Sequence, residues 1–260
     1  MRYARFSAEG RTGWGQLEPT ESGIRLFELE GDPFGTSLRS GWGAPIEAVR
    51  LRAPFEAAKI VGFGRNFERS EDWEPDDDRD PTFFLKPPSA VVDPGDRIVL
   101  PAGFERIVHE AELAVVIGDT CRSVMAEEAD QVIFGYTCAN DVSALGVKAV
   151  GGFPQMVMGK SFDTFCPMGP WIETVLDTSD VSIACRVNGE LRQEGSSRGF
   201  RRDVGALIEL ASRVMTLHPG DIVLTGTPPG FAPLQDGDMV EVAIGGIGVL
   251  GNPVVGPVET

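Results

Sequence analysis

The chain has 260 residues, enough for one large domain or for one domain with a small appendage. Hydrophobic residues make up 42%, an ordinary globular fraction, while 32 glycines and 19 prolines favour short strands and many turns over long helices. A formal charge of −16 argues against nucleic acid as a partner, because neutralising phosphates takes clustered Lys and Arg.

Residues 1–55 read as a small N-terminal β domain, with "RYARF", "GWGQLE" and "GIRLFEL" as short alternating stretches between Gly and Pro. The opening "MRYARFSAEGR" lacks an apolar signal core, and no run approaches the ~18 apolar residues that span a bilayer. A cytoplasmic protein with no membrane partner is expected. Residues 56–260 form a larger second domain that begins with the buried strand of "EAAKIVGFG" (56–64). The acidic run "EDWEPDDDRD" (71–80) reads as a solvated loop, and "TFFLKPPSAVVDPGDRIVL" as strands whose ends are marked by Pro and Gly.

The stretch "IVHEAELAVVI" (107–117) is the most informative. Side chains two apart in a strand share a face, so Glu110 and Glu112 point one way and His109, Ala111 and Leu113 the other. Two carboxylates ~5 Å apart repel by a few kcal/mol at an effective dielectric near 20. Buried, one of them takes up a proton unless a cation sits between them; at a strand end in solvent, both stay hydrated.

Further along, "MAEEADQVI" (125–133) suits a short helix. "GYTCANDVSA" places Asp141 after an apolar strand, among small residues that let a carboxylate approach a shared centre; a plain turn residue is the alternative. "MGKSFDTFCPMGP" offers Lys160, either directed at a site or paired at the surface with Asp163. "IACRVNGELRQEG" is a hairpin turning at Asn188-Gly189. "RGFRRD" (198–203) reads as a solvated turn. "DVGALIELASRVMTL" (203–217) is the best helix, capped by Asp203, with an apolar stripe of Leu207, Leu210, Ala211 and Val214. "LTGTPPG" (224–230) is an ordered loop whose backbone N–H groups and Thr227 suit an anion. "GIGVLG" (246–251) fits the dinucleotide-binding glycine pattern literally, but "NPVVGPVET" follows and not a helix.

The four cysteines, Cys121, Cys138, Cys166 and Cys185, have neither metal-ligand nor redox spacing, so reduced buried thiols are expected. Only two histidines exist, His109 and a surface His218, which leaves little material for a Ser-His-Asp triad. Three carboxylates without histidine or cysteine make a hard oxygen site suited to magnesium, calcium or manganese.

From about residue 58 to 258 the sequence resembles the fumarylacetoacetate hydrolase family, above all its short bacterial members acting on 2-oxo acids. The likeness runs in order through "VGFGRNF", "FLKPPSAVV", "HEAELAVVIG", "GYTCANDVSA", "GKSFDTFCPMGPWIET", "VNGELRQEG" and "LTGTPPG". It implies a β-roll of mixed sheets with few short helices, usually a homodimer. It also implies Glu110, Glu112 and Asp141 as ligands of a divalent ion, normally Mg2+, with Mn2+ or Ca2+ as alternatives. Lys160 then faces a substrate oxygen, and Thr227, with Asn66 and Phe67 of the "GRNF" turn, helps to hold the substrate.

Departures from the pattern fall on the chemistry. Members that cleave C–C bonds or decarboxylate usually carry a histidine four residues past the turn asparagine and a glutamate three further on; those positions here are Ser70 and Trp73. Glu71 and Glu74 lie beside them as candidate acid–base groups. Where an arginine and a glutamine are usual after the metal aspartate, this chain has Leu145 and Lys148. The resemblance therefore implies a metal-dependent enzyme that takes a small 2-oxo or 1,3-dicarbonyl acid through an enolate, by C–C hydrolysis, decarboxylation or isomerisation. A repurposed biosynthetic lyase or cyclase and a silent metal-binding homologue are the alternatives. The acidic segment around Trp73 is expected to be a mobile lid.

Overall fold

A computed structural model describes residues 1–54, 56, 59–67, 81–148 and 155–257 of the chain. Strands β1 (Arg2–Ala8), β2 (Arg11–Thr20), β3 (Gly23–Glu30) and β4 (Leu38–Pro45) form an antiparallel meander, with β5 (Arg50–Arg52) on β1. Their alternation buries Ala4, Phe6, Leu17 and Leu26 as a small core. Next come β6 (Ile60–Gly64), β7 (Thr82–Lys86), β8 (Val91–Val92), β9 (Ile98–Val99) and β10 (Ile107–Val108). The centre of the chain supplies β11 (Ala111–Ile117), β12 (Ile133–Asn140), β13 (Ser143–Ala144), α1 (Met156–Lys160) and β14 (Cys166–Glu173). The hairpin β15 (Ser182–Val187) and β16 (Glu190–Ser196) turns at Asn188 and Gly189, both at positive φ as an Asn-Gly turn requires. Helix α2 (Val204–Val214), then β17 (Ile222–Leu224), β18 (Met239–Ile244) and β19 (Gly248–Val255) complete the order.

The main sheet runs β4-β3-β2-β1-β14-β12-β11-β17-β6-β7, and a second sheet runs β16-β15-β18-β19-β9. Most neighbours are antiparallel, but β17 with β6, β8 with β14 and β19 with β9 are parallel, so the sheets are mixed. The fold is the expected strand-rich arrangement with few short helices. The N-terminal meander does not stand apart from it, because β1 pairs with β14 through Arg2–Glu173 and Tyr3–Ile172.

Strand β11 lies between two cores, which explains why "LAVVI" is an unbroken apolar run. Leu113, Val115 and Ile117 face the core shared with Ile183, Val242 and Leu250 of the second sheet. Ala114 and Val116 face the other side, against Met168, Ile172 and Leu224. Helix α2 is capped as expected, Asp203 accepting the Ala206 N–H at 2.8 Å. Its buried stripe is Val204, Leu207, Ile208 and Ala211, whereas Val214 is 60% exposed, because the helix ends there and Leu217 takes the next inward place. All four cysteines are free and buried, and burial pushes the thiols of Cys138, Cys166 and Cys185 up to about 12. "GIGVLG" is the end of the tight turn from β18 and the start of β19, not a nucleotide loop. No helix among the described residues is long and apolar enough to cross a membrane.

Candidate metal centre and active site

The strand ladder breaks between β10 and β11, at His109 and Glu110. There the backbone is held from β12: Asn140 Oδ1 accepts the Glu110 N–H at 2.9 Å, and the Asp141 N–H donates to the Glu110 carbonyl at 2.9 Å. With Ala111 opposite Asn140 in register, Asp141 leaves the end of β12 beside Glu110. Glu112 shares the Ala114 face, so the parity read from the sequence holds. Carboxylate oxygens of Glu110, Glu112 and Asp141 lie within 4.8 Å of one another, and all three residues are buried.

Two buried lysines face this cluster. Lys160, at the end of α1, donates to Glu110 Oε2 at 2.7 Å and also to Asp141 Oδ2, with its ammonium 4.6 Å from the Phe84 ring centre. It makes no pair with Asp163, which is exposed. Gly159 permits this approach, since a Cβ there would stand 2.3 Å from the Ala144 carbonyl oxygen. Lys86, at the end of β7, donates to Asp141 Oδ1 at 2.5 Å and to the Val142 carbonyl at 3.0 Å.

Three carboxylates against two ammoniums leave one negative charge in a buried place. Burial pushes the Glu112 carboxyl well above its usual range, and the Asp141 charge adds to the rise more than Lys160 offsets it. Burial also raises Glu110, with Lys160 opposing. For Asp141 burial acts upward too, but Lys160 and Lys86 outweigh it and hold that carboxyl below its ordinary value. Burial alone would lower Lys160; Asp141, Glu110 and Glu112 together hold it above its ordinary value. The cluster fits a divalent cation on its donor set. Hard carboxylate oxygens suit magnesium, manganese or calcium, whose M–O distances of about 2.0–2.6 Å put opposite ligands roughly 4–5 Å apart.

The loop after β17 forms the wall next to Glu112. Gly226, at φ 97°, donates its N–H to Glu112 Oε2 at 2.7 Å, and a Cβ there would meet Asn66 Cβ at 3.0 Å. Thr225 and Thr227 donate their hydroxyls to the Leu113 and Ala111 carbonyls, each at 2.9 Å. Part of the donor set that the sequence offers to an anion thus fastens the loop to β11. Gln193 of β16 completes the wall: its Oε1 accepts from the Ala111 N–H at 3.1 Å, and its Nε2 donates to Thr227 Oγ1 at 2.8 Å and the Pro228 carbonyl at 2.7 Å. His109 Nδ1 donates to the same Gln193 Oε1 at 2.9 Å, and its Nε2 accepts the Ala232 N–H. Burial holds this imidazole below its ordinary pKa, with Gln193 opposing.

Residues 59–255 match the family model "Fumarylacetoacetate (FAA) hydrolase C-terminal", and residues 1–54 match "Rv2993c-like, N-terminal". The chain belongs to the fumarylacetoacetate hydrolase family. A 5-carboxymethyl-2-hydroxymuconate delta-isomerase from Mycobacterium smegmatis superposes with a TM-score of 0.91 at 42% identity, covering 98% of this chain and 100% of that one. A maleylpyruvate hydrolase from Sphingobium sp. SYK-6, solved with manganese(II) ion and pyruvate, does so with a TM-score of 0.80 at 32% identity, covering 99% and 100%. The mitochondrial oxaloacetate tautomerase fahd2 of Xenopus laevis is 37% identical over 219 residues, 80% of this chain and 69% of that protein.

Within the fumarylacetoacetate hydrolase frame, the fold brings Glu110, Glu112, Asp141, Lys160 and Thr227 to one place. Asn66 adjoins the loop after β17 at Gly226, and Phe67 lies against Gly195 of β16. Asn66 is buried and spends its amide on the Arg202 and Thr225 carbonyls and the Arg202 N–H, each at 2.9 Å. Phe67 packs edge-on to Phe200, which makes "RGFRRD" a brace for the turn and more than a solvated one. Ser70, Glu71, Trp73 and Glu74, with the expected lid, lie outside the described residues. Sequence reading missed Lys86 and Gln193. The available signal for Lys86 was a charge ending the apolar run "TFFLK"; nothing local in "ELRQEG" marks Gln193 as buried.

Proposed function

We propose that the protein is a divalent-metal-dependent enzyme that interconverts the keto and enol forms of a small 2-oxo or 1,3-dicarbonyl acid. The observation that carries this reading is the buried trio Glu110, Glu112 and Asp141 with Lys160 on two of them, in a chain whose histidines are both occupied elsewhere. His109 uses both ring nitrogens inside the wall, and the exposed His218 precedes β17 while the site follows it. Neither is placed to activate water. Hydrolysis of a C–C bond needs such a base, typically worth ~10²–10⁴-fold, whereas moving a proton between carbon and oxygen of one substrate consumes no water. Similarity to the isomerase and the tautomerase supports the same reading.

A divalent ion on the three carboxylates would supply Lewis-acid polarisation of adjacent substrate oxygens. Lys160 sets a fixed positive charge where a substrate oxygen gains negative charge, and the surrounding burial strengthens it. Thr227 sits at the wall against which the acidic end of the substrate rests. Glu71 and Glu74 are assigned the proton transfers. A homodimer belongs to the proposal: Met156, Val157 and Met158 on α1 and Leu85 on β7 leave 40–56% of their surfaces exposed, an apolar face that a second copy would cover.

Cleavage of an acylpyruvate is the second reading, favoured by similarity to the maleylpyruvate hydrolase, with Glu71 or Glu74 as the base. Rates with magnesium-loaded protein separate the two. Ketonisation of the enol of a monocarboxylic 2-oxo acid should exceed acylpyruvate cleavage by roughly 100-fold, and Lys160→Ala should lower it by about as much without weakening metal binding. Faster cleavage, abolished in Glu71→Gln or Glu74→Gln, would establish a hydrolase instead.

A further inference from the structure

A cavity of about 260 Å³ adjoins the carboxylate cluster. Two of its walls belong to that cluster: Lys160, which donates to Glu110, and Ser143, whose hydroxyl donates to the Asp141 carbonyl at 2.9 Å. Away from them the lining is mostly apolar, with Ala144, Leu145, Val147 and Met156 beside the one amide of Gln155, and Lys148 stands at the exposed rim. Such a volume is below the roughly 300–1,000 Å³ of pockets that take whole small molecules, so it suits part of a ligand whose remainder sits elsewhere. The remainder has a place on the carboxylates and Lys160.

We infer that this cavity receives an uncharged, apolar arm of the substrate, and that Leu145 sets which arm is accepted. The inference rests on the oxo-acid reading above. Leu145 is half-buried in the lining, and its backbone N–H is fixed to the Arg106 carbonyl at 2.8 Å, so its side chain is held at the cavity by the main chain. An arm bearing a carboxylate would give up hydration to enter an aliphatic lining, whereas each methylene buried there gains about fourfold in affinity. The substrate class is therefore a 2-oxo acid with a short alkyl or acyl arm, in preference to a dicarboxylate.

Simple 2-oxo acids bind without being cleaved, so calorimetric titration of manganese-loaded protein reads the cavity directly. Pyruvate, 2-oxobutanoate, 2-oxopentanoate and 2-oxohexanoate should bind with Kd falling about fourfold per added carbon, and 2-oxoadipate should bind more weakly than 2-oxohexanoate. In Leu145→Arg the ratio of the 2-oxohexanoate and 2-oxoadipate affinities should invert; in Leu145→Ala the preferred arm should lengthen. If the arginine variant does not fold, the alanine variant decides. Absence of pyruvate binding would overturn the oxo-acid reading and this inference with it. Pyruvate binding with no dependence on arm length would overturn the cavity assignment alone. Tightest binding of 2-oxoadipate by the wild type would do so too, and would give recognition of the arm to Lys148.

Discussion

Lys86 shows what a single residue contributes here. Its ammonium and the Asp141 carboxylate pair with both side chains fully buried, 55 positions apart in the chain. Removing Lys86 leaves Lys160, among the described residues, as the one ammonium against three buried carboxylates, and an added uncompensated charge of this kind typically costs about 3–5 kcal/mol. Lys86→Met should lower the free energy of urea unfolding by that amount; a loss under ~1 kcal/mol would show that Asp141 does not depend on it. The Glu110–Glu112 parity was legible in the sequence because it is local and follows from strand geometry. Lys86 was not legible as a partner of Asp141, because only the folded sheet brings β7 to the end of β12.

The raised Glu112 pKa has a pH consequence. A carboxyl whose pKa is raised in the folded, metal-free protein contributes stability that is present below the ordinary carboxylate range and is lost as pH rises through the raised value. A bound divalent cation must displace the same proton, so its affinity rises over the same window. The gain in melting temperature from saturating magnesium should accordingly be larger at about pH 8 than at about pH 5.5. An equal gain at both would mean that no such proton is displaced.

Among the elements, β16 governs the site at a distance. Its buried Gln193 ties the start of β11, the loop after β17 and His109 into one wall through four polar contacts. Each buried group left without a partner costs about 1–3 kcal/mol, and groups that orient metal ligands typically change metal affinity by about 10–100-fold. Gln193→Leu is therefore expected to destabilise the fold by about 2–4 kcal/mol and to weaken manganese binding at least tenfold, read by denaturant titration and calorimetry. Lost stability with unchanged metal affinity would confine Gln193 to a structural role. The hairpin carrying it was plain from Asn188-Gly189. Its purpose was hidden, since a glutamine in "ELRQEG" reads as a solvent residue until the second sheet closes over β11.

At the scale of the whole molecule, Gly and Pro punctuation and apolar runs revealed a strand-rich chain with few helices, and the resemblance supplied the fold class. Sheet order lay beyond local reading: β1 finds β14 some 170 positions away, through Arg2 and Glu173, and nothing in either strand marks the other. The pairing of β11 with β12 places Asp141 next to Glu110, which precedes it by 31 positions, and composition alone gave no reason to expect it. A metal centre here depends on that meeting of three carboxylates. Its most direct test is calorimetric titration of the metal-stripped protein with manganese, wild type beside Glu110→Gln and Asp141→Asn. We expect one ion per chain in the wild type and at least a ~100-fold weaker Kd in each variant, since a ligand and its charge are removed together. Unchanged stoichiometry and affinity in both variants would contradict the account.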